Sequence, residues 1–398
     1  MSMFRQVTIP QRSGQKGVRA EGTVPVTQFL GIFPNRSMTV IVMMERYRHG
    51  SHVNLSYYNA YSIGFQPVFF IFNDFLEDSQ MKQWKVGIIG ATGMVGQRFA
   101  TLLDGHPWFQ VVALAASPRS AGKTYEAAVG SRWAMTTPMP ETMKDMVMLD
   151  AQADIEKIAG MVDFVFCAVD MKKDEIRDLE DRYAKAECPI VSNNSAHRFT
   201  DDVPMVIPEI NADHIKIIDA QRKRLGTKRG FVAVKSNCSL QSYVPAIHPL
   251  KALGVDKVLA CTYQAISGAG KTFKTWPEMV DNVIPYIGGE EEKSEQEPLK
   301  IWGKIEGDKI VKTDDISITS QCIRVPVSDG HTAAVFMSFK DGVKKPTVEE
   351  IIDIWSNYSG RAQELNLPSA PKHFLHPTVR RLNLKEILKT VWQYRLAD

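Results

Sequence analysis

A glycine-rich turn between an apolar strand and a helix most constrains what this chain can fold into. The strand is predicted over residues 85–89 and the helix over 97–103, with Gly90, Gly93 and Gly96 at the turn. Strand, glycine turn and helix in this order form the phosphate-binding βα unit of dinucleotide-binding folds. The three glycines permit a tight turn, the approach of backbone to a pyrophosphate, and close packing of helix on strand. The sequence therefore predicts a cofactor-binding parallel sheet.

Strands and helices alternate after this turn, which supports the same interpretation. Alternating elements of this kind build a parallel sheet with right-handed crossovers. The further strands are predicted over residues 109–116, 163–169, 189–192 and 231–234, and a charged amphipathic helix over 174–186.

The second half of the chain has a different pattern. Strand-like runs cover 258–265, 316–327 and 333–339, with helices over 275–300 and 347–358. We therefore predict an α/β protein with a Rossmann-type parallel-sheet domain and a second, α+β domain that has a mixed or antiparallel sheet. The first domain covers residues 81–236 and is completed by a C-terminal helix over 373–398, and the second covers 237–372.

The segment before this pattern does not resemble the rest of the chain. Residues 1–80 hold no sustained hydrophobic period, and the first strand begins soon after Met81. We expect residues 1–80 to be an N-terminal extension that is disordered or that results from a mis-called start, with Met81 as the true first residue.

Charge and cysteine content narrow the class of protein. A net charge of +3 over 398 residues indicates neither a nucleic-acid nor a membrane partner. The five cysteines are far apart in the sequence and form no Cys-x-x-Cys pair, so neither a zinc site nor a disulfide framework is predicted. These features are typical of a cytoplasmic protein.

The end of the second predicted strand indicates which dinucleotide binds. An NAD site usually places Asp or Glu there to bind the ribose 2′-hydroxyl. Here the chain has Ser117, Arg119 and Ser120 instead, which favour a 2′-phosphate and hence NADP(H). Solvation would explain the cation on its own, but it would not explain the missing acid.

The candidate nucleophile lies in the sequence Ser236-Asn237-Cys238-Ser239. It stands between the strand 231–234 and a segment over 240–253 that is long enough for a helix and is interrupted by Pro245 and Pro249. A cysteine at a strand-to-helix junction lies where backbone N–H groups and the helix dipole favour a thiolate. Such a thiolate could attack a carbonyl group and hold the substrate as a thioester. A small buried packing residue is the alternative, and it is the commoner role of a free cysteine.

Five motifs follow one another along residues 82–398. They are Gly90–Gly96, Ser236–Ser239, Tyr263–Gly270 with Gln264, Glu290–Lys293, and Arg324 followed by Gly330-His331-Thr332. In this order they resemble the aspartate-semialdehyde dehydrogenase family, and the acidic motif is most similar to its archaeal and fungal branch. The resemblance implies that the second domain, residues 237–372, is the catalytic and dimerisation domain.

The resemblance implies a reversible, NADPH-dependent reduction of L-4-aspartyl phosphate to L-aspartate 4-semialdehyde and phosphate. This reaction belongs to the biosynthesis of lysine (through diaminopimelate), methionine, threonine and isoleucine. Cys238 would carry the acyl group as a thioester, His331 would be the general acid–base, and Gln264 would orient the intermediate. The implied oligomer is a homodimer or a homotetramer.

The resemblance also implies the binding residues. Arg324 would bind the substrate α-carboxylate, Glu290 the α-ammonium group, and Lys293 and Asn194 the phosphate. Leu240 stands where many relatives have a threonine, so a contact made by that hydroxyl is in doubt. The cofactor would lie against Gly90, Thr92, Gly93, Met94, Val95, Gly96, Ser117, Arg119, Ser120, Ser267, Gly268 and Gly270.

The alternatives stay open from the sequence. Another acyl reductase on the same scaffold, such as a malonyl-CoA reductase or an N-acetylglutamyl-phosphate reductase, would share most of these motifs. A non-catalytic NADP-binding redox sensor would share the turn and the cysteine. His331 could be an ordinary loop histidine, and Arg324 could lie on a solvated strand face.

Overall fold

The computed structural model describes residues 37–44, 56–61 and 83–379, which form two large sheets and the helices that cover them. Strands are numbered along the chain, and β1 (Ser37–Met44) and β2 (Ser56–Tyr61) belong to the second sheet. The first sheet contains β3 (Trp84–Ile89), β4 (Phe109–Ala116), β5 (Leu149–Asp150), β6 (Phe164–Cys167), β7 (Ile190–Ser192), β8 (Met205–Val206) and β9 (Val232–Lys235).

The first sheet has the Rossmann-type arrangement that the sequence predicts. Its seven strands are in the order β5-β4-β3-β6-β7-β9-β8, and every pairing is parallel. The strand order reverses between β3 and β6, and ligands of such sheets bind beyond the carboxyl ends of the strands at this point. The glycine turn follows β3 directly, so it lies at this reversal.

Helices cover both faces of this sheet. In the longest of them, Ile176, Leu179 and Tyr183 are buried at the spacing of one helical face. The helices are α1 (Met94–Leu103), α2 (Tyr125–Val129), α3 (Glu141–Lys144), α4 (Ile155–Met161), α5 (Lys173–Lys185), α6 (Pro208–Asn211) and α7 (Ile218–Leu225), with 3-10 turns at 130–132 and 212–217.

The second sheet is mixed. Besides β1 and β2 it contains β10 (Val255–Gln264), β13 (Ser317–Arg324), β14 (Thr332–Phe339) and β15 (Leu375–Val379). The strand order is β13-β10-β14-β1-β2-β15; β10 is parallel to β13 and antiparallel to β14, while β1 is parallel to β14. A small hairpin of β11 (Lys304–Glu306) and β12 (Lys309–Val311) lies outside this sheet.

The helices of the second half begin at a broken segment after the cysteine. The segment over 240–253 does not form one continuous helix, because Pro245 and Pro249 interrupt the hydrogen-bond ladder as the sequence indicates. The structure has short 3-10 turns at 240–242 and 248–253 on either side of α8 (Val244–Ile247). Further along are α9 (Glu290–Ile301), α10 (Val348–Asn357) and α11 (Arg361–Glu364).

The helix predicted over 275–300 is correct only in its second part. Residues 277–279 form a single 3-10 turn, and α9 begins at Glu290. Pro285 and the glycines at 288 and 289 explain the late start, since Gly289 takes the left-handed conformation with φ 73°.

Both chain ends differ from the prediction within the described residues. The predicted disorder of residues 1–80 is wrong for β1 and β2, which are paired strands. The predicted helix over 373–398 is wrong for β15, which pairs with β2. The other residues of these two segments lie outside the described part, and the start at Met81 and the domain boundaries stay predictions.

The core joins the two sheets. One apolar cluster runs from the first sheet through Leu240, Val244 and Leu250 to β10 and β14 of the second sheet. Leu240 is fully buried in this cluster, so its side chain is part of the core between the sheets. Among the described residues, no helix is long and apolar enough to cross a membrane.

Candidate active site

The structure brings Cys238 and His331 together across the two halves of the chain. Cys238 follows β9 of the first sheet, and His331 directly precedes β14 of the second. The Cys238 Sγ lies 3.2 Å from the His331 Nε2, and His331 is almost fully buried. A sulfur and an imidazole nitrogen at this distance are within hydrogen-bond reach, as a cysteine nucleophile and its activating histidine are in covalent catalysis.

A backbone contact fixes which ring nitrogen of His331 carries a proton. The Ala265 N–H donates to the Nδ1 at 3.0 Å, so this nitrogen is the acceptor. The neutral ring therefore carries its proton on Nε2, which points at the Cys238 sulfur. This arrangement provides a donor to a thiolate and to any oxygen that comes to lie beside it.

The surroundings of Cys238 favour its thiolate. Burial raises the pKa of the thiol, but the His331 ring and the Lys235 ammonium group outweigh burial and lower this pKa to about 6. The following 3-10 turn is only three residues long, so the predicted helix-dipole contribution is small. Neighbouring side chains, rather than a helix, activate this cysteine.

Asn237 links the cysteine to α9. Its Oδ1 accepts hydrogen bonds from the backbone and the side chain of Ser239, both at 2.7 Å. Its Nδ2 donates to both carboxylate oxygens of Glu290, at 3.2 and 3.0 Å. Cys238 is therefore held between two residues that are themselves fixed.

The Glu290 carboxylate accepts hydrogen bonds from three side chains near the cysteine, those of Asn237, Gln264 and Lys293. Gln264 Nε2 donates to its Oε2 at 3.3 Å, and Lys293 Nζ to its Oε1 at 2.7 Å. Burial raises the pKa of Glu290, but Lys293, Asn237 and Gln264 together hold it below the usual value. The carboxylate is thus ionised and faces the cysteine turn, as binding of an ammonium group would require.

Arg324 is buried, contrary to the alternative of a solvated strand face. Its Nη1 donates to the Ala265 carbonyl at 2.8 Å, so Ala265 holds both Arg324 and His331. A Cβ atom on Gly268 would lie 2.8 Å from the His331 Cε1 and 2.9 Å from the Arg324 Nη1. Glycine at this position lets the 266–269 turn lie directly against both side chains.

Asn194 is placed differently from the other predicted substrate residues. It follows β7, and its Nδ2 contacts Glu180 Oε1 at 3.2 Å and Cys167 Sγ at 3.4 Å. Its amide nitrogen thus donates to a buried carboxylate on α5, one of the helices that cover the first sheet. Contact with a substrate phosphate stays a prediction for this residue.

The glycine turn has the shape of a dinucleotide cradle. Gly90 has φ 87°, and a Cβ there would lie 2.4 Å from the Ala168 carbonyl oxygen. A Cβ on Gly96 would lie 2.2 Å from the Gly90 oxygen, so both positions require glycine for packing. A Cβ on Gly93 would meet its nearest atom only at 3.5 Å, which leaves this side open to a ligand. Thr92, Met94 and Val95 lie partly or fully exposed at the same turn.

The other predicted cofactor residues lie on two loops. Ser117 and Arg119 are exposed beyond β4, whereas Ser120 is buried and its backbone N–H donates to the Ser117 oxygen at 2.8 Å. Ser267 and Gly270 belong to the 266–269 turn and its end, beside the Cys238 and His331 pair. The described residues therefore fit NADP(H): a glycine cradle, a cation where NAD sites carry an acid, and an exposed loop next to the nucleophile.

Among the described residues, no group of three or more His, Cys, Asp and Glu could hold a metal ion.

Three buried charged residues near the cysteine, Arg198, Lys235 and Glu297, were not predicted from the sequence. Arg198 forms an ion pair with Glu297 at 2.9 Å, and Lys235 Nζ donates to the Ser236 oxygen at 3.1 Å. Spacing could have indicated Glu297, since it lies seven residues after Glu290 and so on the same helical face. No local signal indicates Arg198, whose partner is 99 residues away.

Two family models match the chain in the order of its two sheets. The NAD binding domain of semialdehyde dehydrogenases matches residues 85–218, and the semialdehyde dehydrogenase dimerisation domain matches 247–390. An aspartate-semialdehyde dehydrogenase of Archaeoglobus fulgidus is 40% identical over 290 residues, which are 73% of this chain and 80% of the relative. The chain belongs to the aspartate-semialdehyde dehydrogenase family.

Other relatives agree with the predicted archaeal and fungal resemblance. The aspartate-semialdehyde dehydrogenase of Aspergillus fumigatus is 40% identical over 72% of this chain and 78% of its own length. A crystal structure of the Candida albicans aspartate semialdehyde dehydrogenase with NADP has a TM-score of 0.65 and 35% identity, covering 73% of this chain and 81% of that one. The predicted family and fold class are thereby confirmed.

Proposed function

We propose that this chain catalyses the reversible, NADPH-dependent reduction of L-4-aspartyl phosphate to L-aspartate 4-semialdehyde and phosphate. The observation that carries the proposal is the partly buried pair of Cys238 Sγ and His331 Nε2, 3.2 Å apart. Membership of the family and the glycine cradle after β3 support the same reaction. The aldehyde would serve the synthesis of lysine, methionine, threonine and isoleucine.

The first step belongs to Cys238. Its thiolate attacks the acyl carbon, a carbon–sulfur bond forms, and the carbon–oxygen bond to phosphate breaks with phosphate as the leaving group. A thiol pKa of about 6 makes the thiolate the main form at neutral pH. The substrate is then held as a thioester on Cys238.

The second step reduces the thioester. NADPH, when bound, supplies the hydride that the thioester carbon receives. Hydride addition leaves a negative charge on the thiohemiacetal oxygen, and the Nε2–H of His331 can donate a hydrogen bond to this oxygen until the carbon–sulfur bond breaks with the Cys238 thiolate as the leaving group. The aldehyde leaves, and Cys238 is again a thiolate beside the protonated Nε2.

Charged residues around the pair would orient the substrate. Arg324 can bind the α-carboxylate with two parallel N–H groups, and Glu290 can accept the α-ammonium group. Gln264 lies next to Glu290 and would hold the thioester region. Lys293 would attract the phosphate, and Asn194 is a second candidate for it.

The proposed enzyme acts as a homodimer or homotetramer in the cytoplasm. The match to a dimerisation domain supports association of its second half. Several large apolar side chains of this half are exposed, namely Leu259 on β10 and Val280, Val283 and Tyr286 before α9. Burying these side chains against a second copy would be favourable.

The test is an assay of phosphate-dependent oxidation of L-aspartate 4-semialdehyde with NADP. We expect Cys238→Ala to reduce turnover to below about a hundredth of wild type while NADP binding is retained. Cys261→Ala is the control, because this half-buried cysteine lies on β10 away from His331 and its loss is expected to leave turnover unchanged.

Other outcomes would change the proposal. Faster reduction of malonyl-CoA or of N-acetylglutamyl phosphate would assign another acyl reductase reaction to the same site. Absence of all reductase activity, with oxidant-sensitive Cys238, would assign the redox-sensor alternative.

A further inference from the structure

The inner face of α9 continues beyond the residues that the proposed mechanism uses. Glu290 and Lys293 lie at its first turn, near the cysteine. Ser294, Glu297 and Lys300 follow at spacings of three residues, and all three are buried. Burying the Glu297 carboxylate and the Lys300 ammonium group without partners would be costly. Their hydrogen bonds therefore show which parts of the chain this helix fixes.

Glu297 holds the backbone in front of the nucleophile. Its Oε2 accepts the Asn237 N–H at 2.6 Å, and its Oε1 accepts a hydrogen bond from Arg198 Nη1 at 2.9 Å. Its side chain is completely buried. A hydrogen bond to an ionised carboxylate in a dry site is stronger than one between neutral groups.

Arg198 extends the same contact to the other side of the turn. Its Nε donates to the Lys235 carbonyl oxygen at 3.0 Å. The ion pair therefore grips the chain at Lys235 and at Asn237, one residue on each side of Ser236. Lys300 anchors the loop that carries Arg198, because its Nζ donates to the carbonyl oxygens of Arg198, Thr200 and Val203.

The contacts of Glu297 and Arg198 also restrain the position of Cys238, which follows Asn237 directly. The Asn237 side chain fixes Ser239, and the Glu297 carboxylate fixes the Asn237 backbone. The Cys238 Sγ then lies 3.2 Å from the His331 Nε2. We propose that Glu297 is a positioning residue that sets the Cys238 sulfur against His331. The inference rests on the proposed use of Cys238 as the nucleophile.

The direction in which the titration of the Cys238 thiol shifts distinguishes a positioning role of Glu297 from a purely electrostatic effect of its charge. The charged groups that act on the Cys238 thiol are His331, Lys235, Glu290 and Arg324. Removing the negative charge of Glu297 alone would stabilise a thiolate and move its titration to lower pH. Loosening the contact with His331 would move the titration to higher pH.

The experiment measures alkylation of Cys238 by iodoacetamide between pH 4 and 9, followed on the Cys238 peptide by mass spectrometry. It uses the full chain without substrate or cofactor, so its result does not depend on which reaction the enzyme catalyses. Glu297→Gln is compared with Glu292→Gln, an exposed residue of the same helix. Circular dichroism and the melting temperature establish that each variant is folded.

We expect Glu297→Gln to raise the midpoint by about one pH unit, which lowers the alkylation rate at pH 6 about fivefold. Glu292→Gln is expected to keep the wild-type profile. An unchanged midpoint, or one that moves to lower pH, would overturn the proposal.

A second variant keeps the test decisive if Glu297→Gln does not fold. Glu297→Asp retains the charge for Arg198 but shortens the reach to the Asn237 N–H. A raised midpoint in this variant supports positioning, and a wild-type midpoint refutes it. In the reductase assay, the positioning role predicts a lower kcat with an unchanged KM for NADPH; loss of activity with a wild-type alkylation profile would count against the role.

Discussion

At the scale of single residues, the reactivity of Cys238 depends on one imidazole nitrogen. The Ala265 N–H occupies Nδ1, which directs the Nε2 proton to the sulfur. Burial by itself would raise the pKa of the thiol, so the low value of about 6 requires this neighbour. A thiol with a lowered pKa gains reactivity as the pH rises through about 6 and then stays constant.

We therefore predict that His331→Ala moves the alkylation midpoint of Cys238 upward, toward that of an ordinary thiol. At pH 6 the alkylation rate would fall by at least about tenfold, because fewer molecules carry the thiolate. His373→Ala is the matched control, since this histidine is exposed and its ring contacts His376. A midpoint that stays near pH 6 in His331→Ala would mean that another group activates the cysteine.

The sequence predicted the residues of this pair but not what holds them. Cys238 and His331 stand in short motifs that can be recognised locally. The contacts that fix them come from the Ala265 backbone, 66 residues before His331, and from Glu297, 60 residues after Asn237. Backbone donors and distant buried charges carry no local pattern, so only the fold reveals them.

At the scale of elements, the turn at 266–269 carries predicted cofactor residues and lies directly against His331 of the catalytic pair. A Cβ on Gly268 would collide with both His331 and Arg324, which are themselves buried and have little freedom to move. Displacing reacting groups by a fraction of an ångström is costly in catalysis.

Gly268→Ala is predicted to lower kcat/KM by about 10- to 100-fold. It is also predicted to raise the alkylation midpoint of Cys238 in the absence of cofactor, because His331 is pushed away from the sulfur. Gly160→Ala is the control, since a Cβ there meets nothing within 4 Å. Wild-type kinetics in Gly268→Ala would show that the turn can move without affecting the pair.

The loop after β4 is where the proposed cofactor preference can be tested. Arg119 is exposed there and no acid accompanies it. We predict that Arg119→Ala reduces the preference for NADPH over NADH by about tenfold or more, as expected for the loss of a charged hydrogen bond. The measurement is the ratio of kcat/KM for NADPH to kcat/KM for NADH. This ratio is expected to be unchanged in the control Lys157→Ala, which removes an exposed cation on α4. An unchanged preference in Arg119→Ala would place recognition of the 2′-phosphate elsewhere.

Elements were predicted best where their pattern is local. The glycine turn and β4 follow from glycine spacing and apolar runs, and β4 has the predicted bounds. The segment after Cys238 was predicted to be interrupted by Pro245 and Pro249, and the structure divides it into short helical pieces. β15 was predicted as helical because its partner, β2, is more than 300 residues away in the chain.

At the scale of the whole molecule, a cavity of about 1010 Å³ lies between the helices that follow β8 and the segment around α11. Glu209 lines it and is buried, and within the described part of the chain its Oε1 has no hydrogen-bond partner. Burial raises the pKa of this carboxyl to about 8 from an ordinary value of 4.5. The native protein therefore keeps a proton that the unfolded chain releases at neutral pH.

This proton gives a stability prediction with a definite sign. Below pH 4.5 both states are protonated, and between pH 4.5 and 8 only the unfolded state ionises, so the free energy of unfolding falls by about 1.4 kcal/mol per pH unit. Glu209→Gln removes this loss while keeping the size of the side chain. We predict that the melting temperature of the variant, relative to wild type, increases by several degrees between pH 5 and pH 8.

Glu364→Gln is the control, because this exposed carboxyl lines the same cavity, and its difference from wild type is expected to stay constant with pH. Parallel melting curves for Glu209→Gln and wild type across this range would mean that Glu209 is already ionised in the native protein. The cavity would then contain a cation or a donor that compensates the charge, since an ionised carboxylate at this depth is not stable alone.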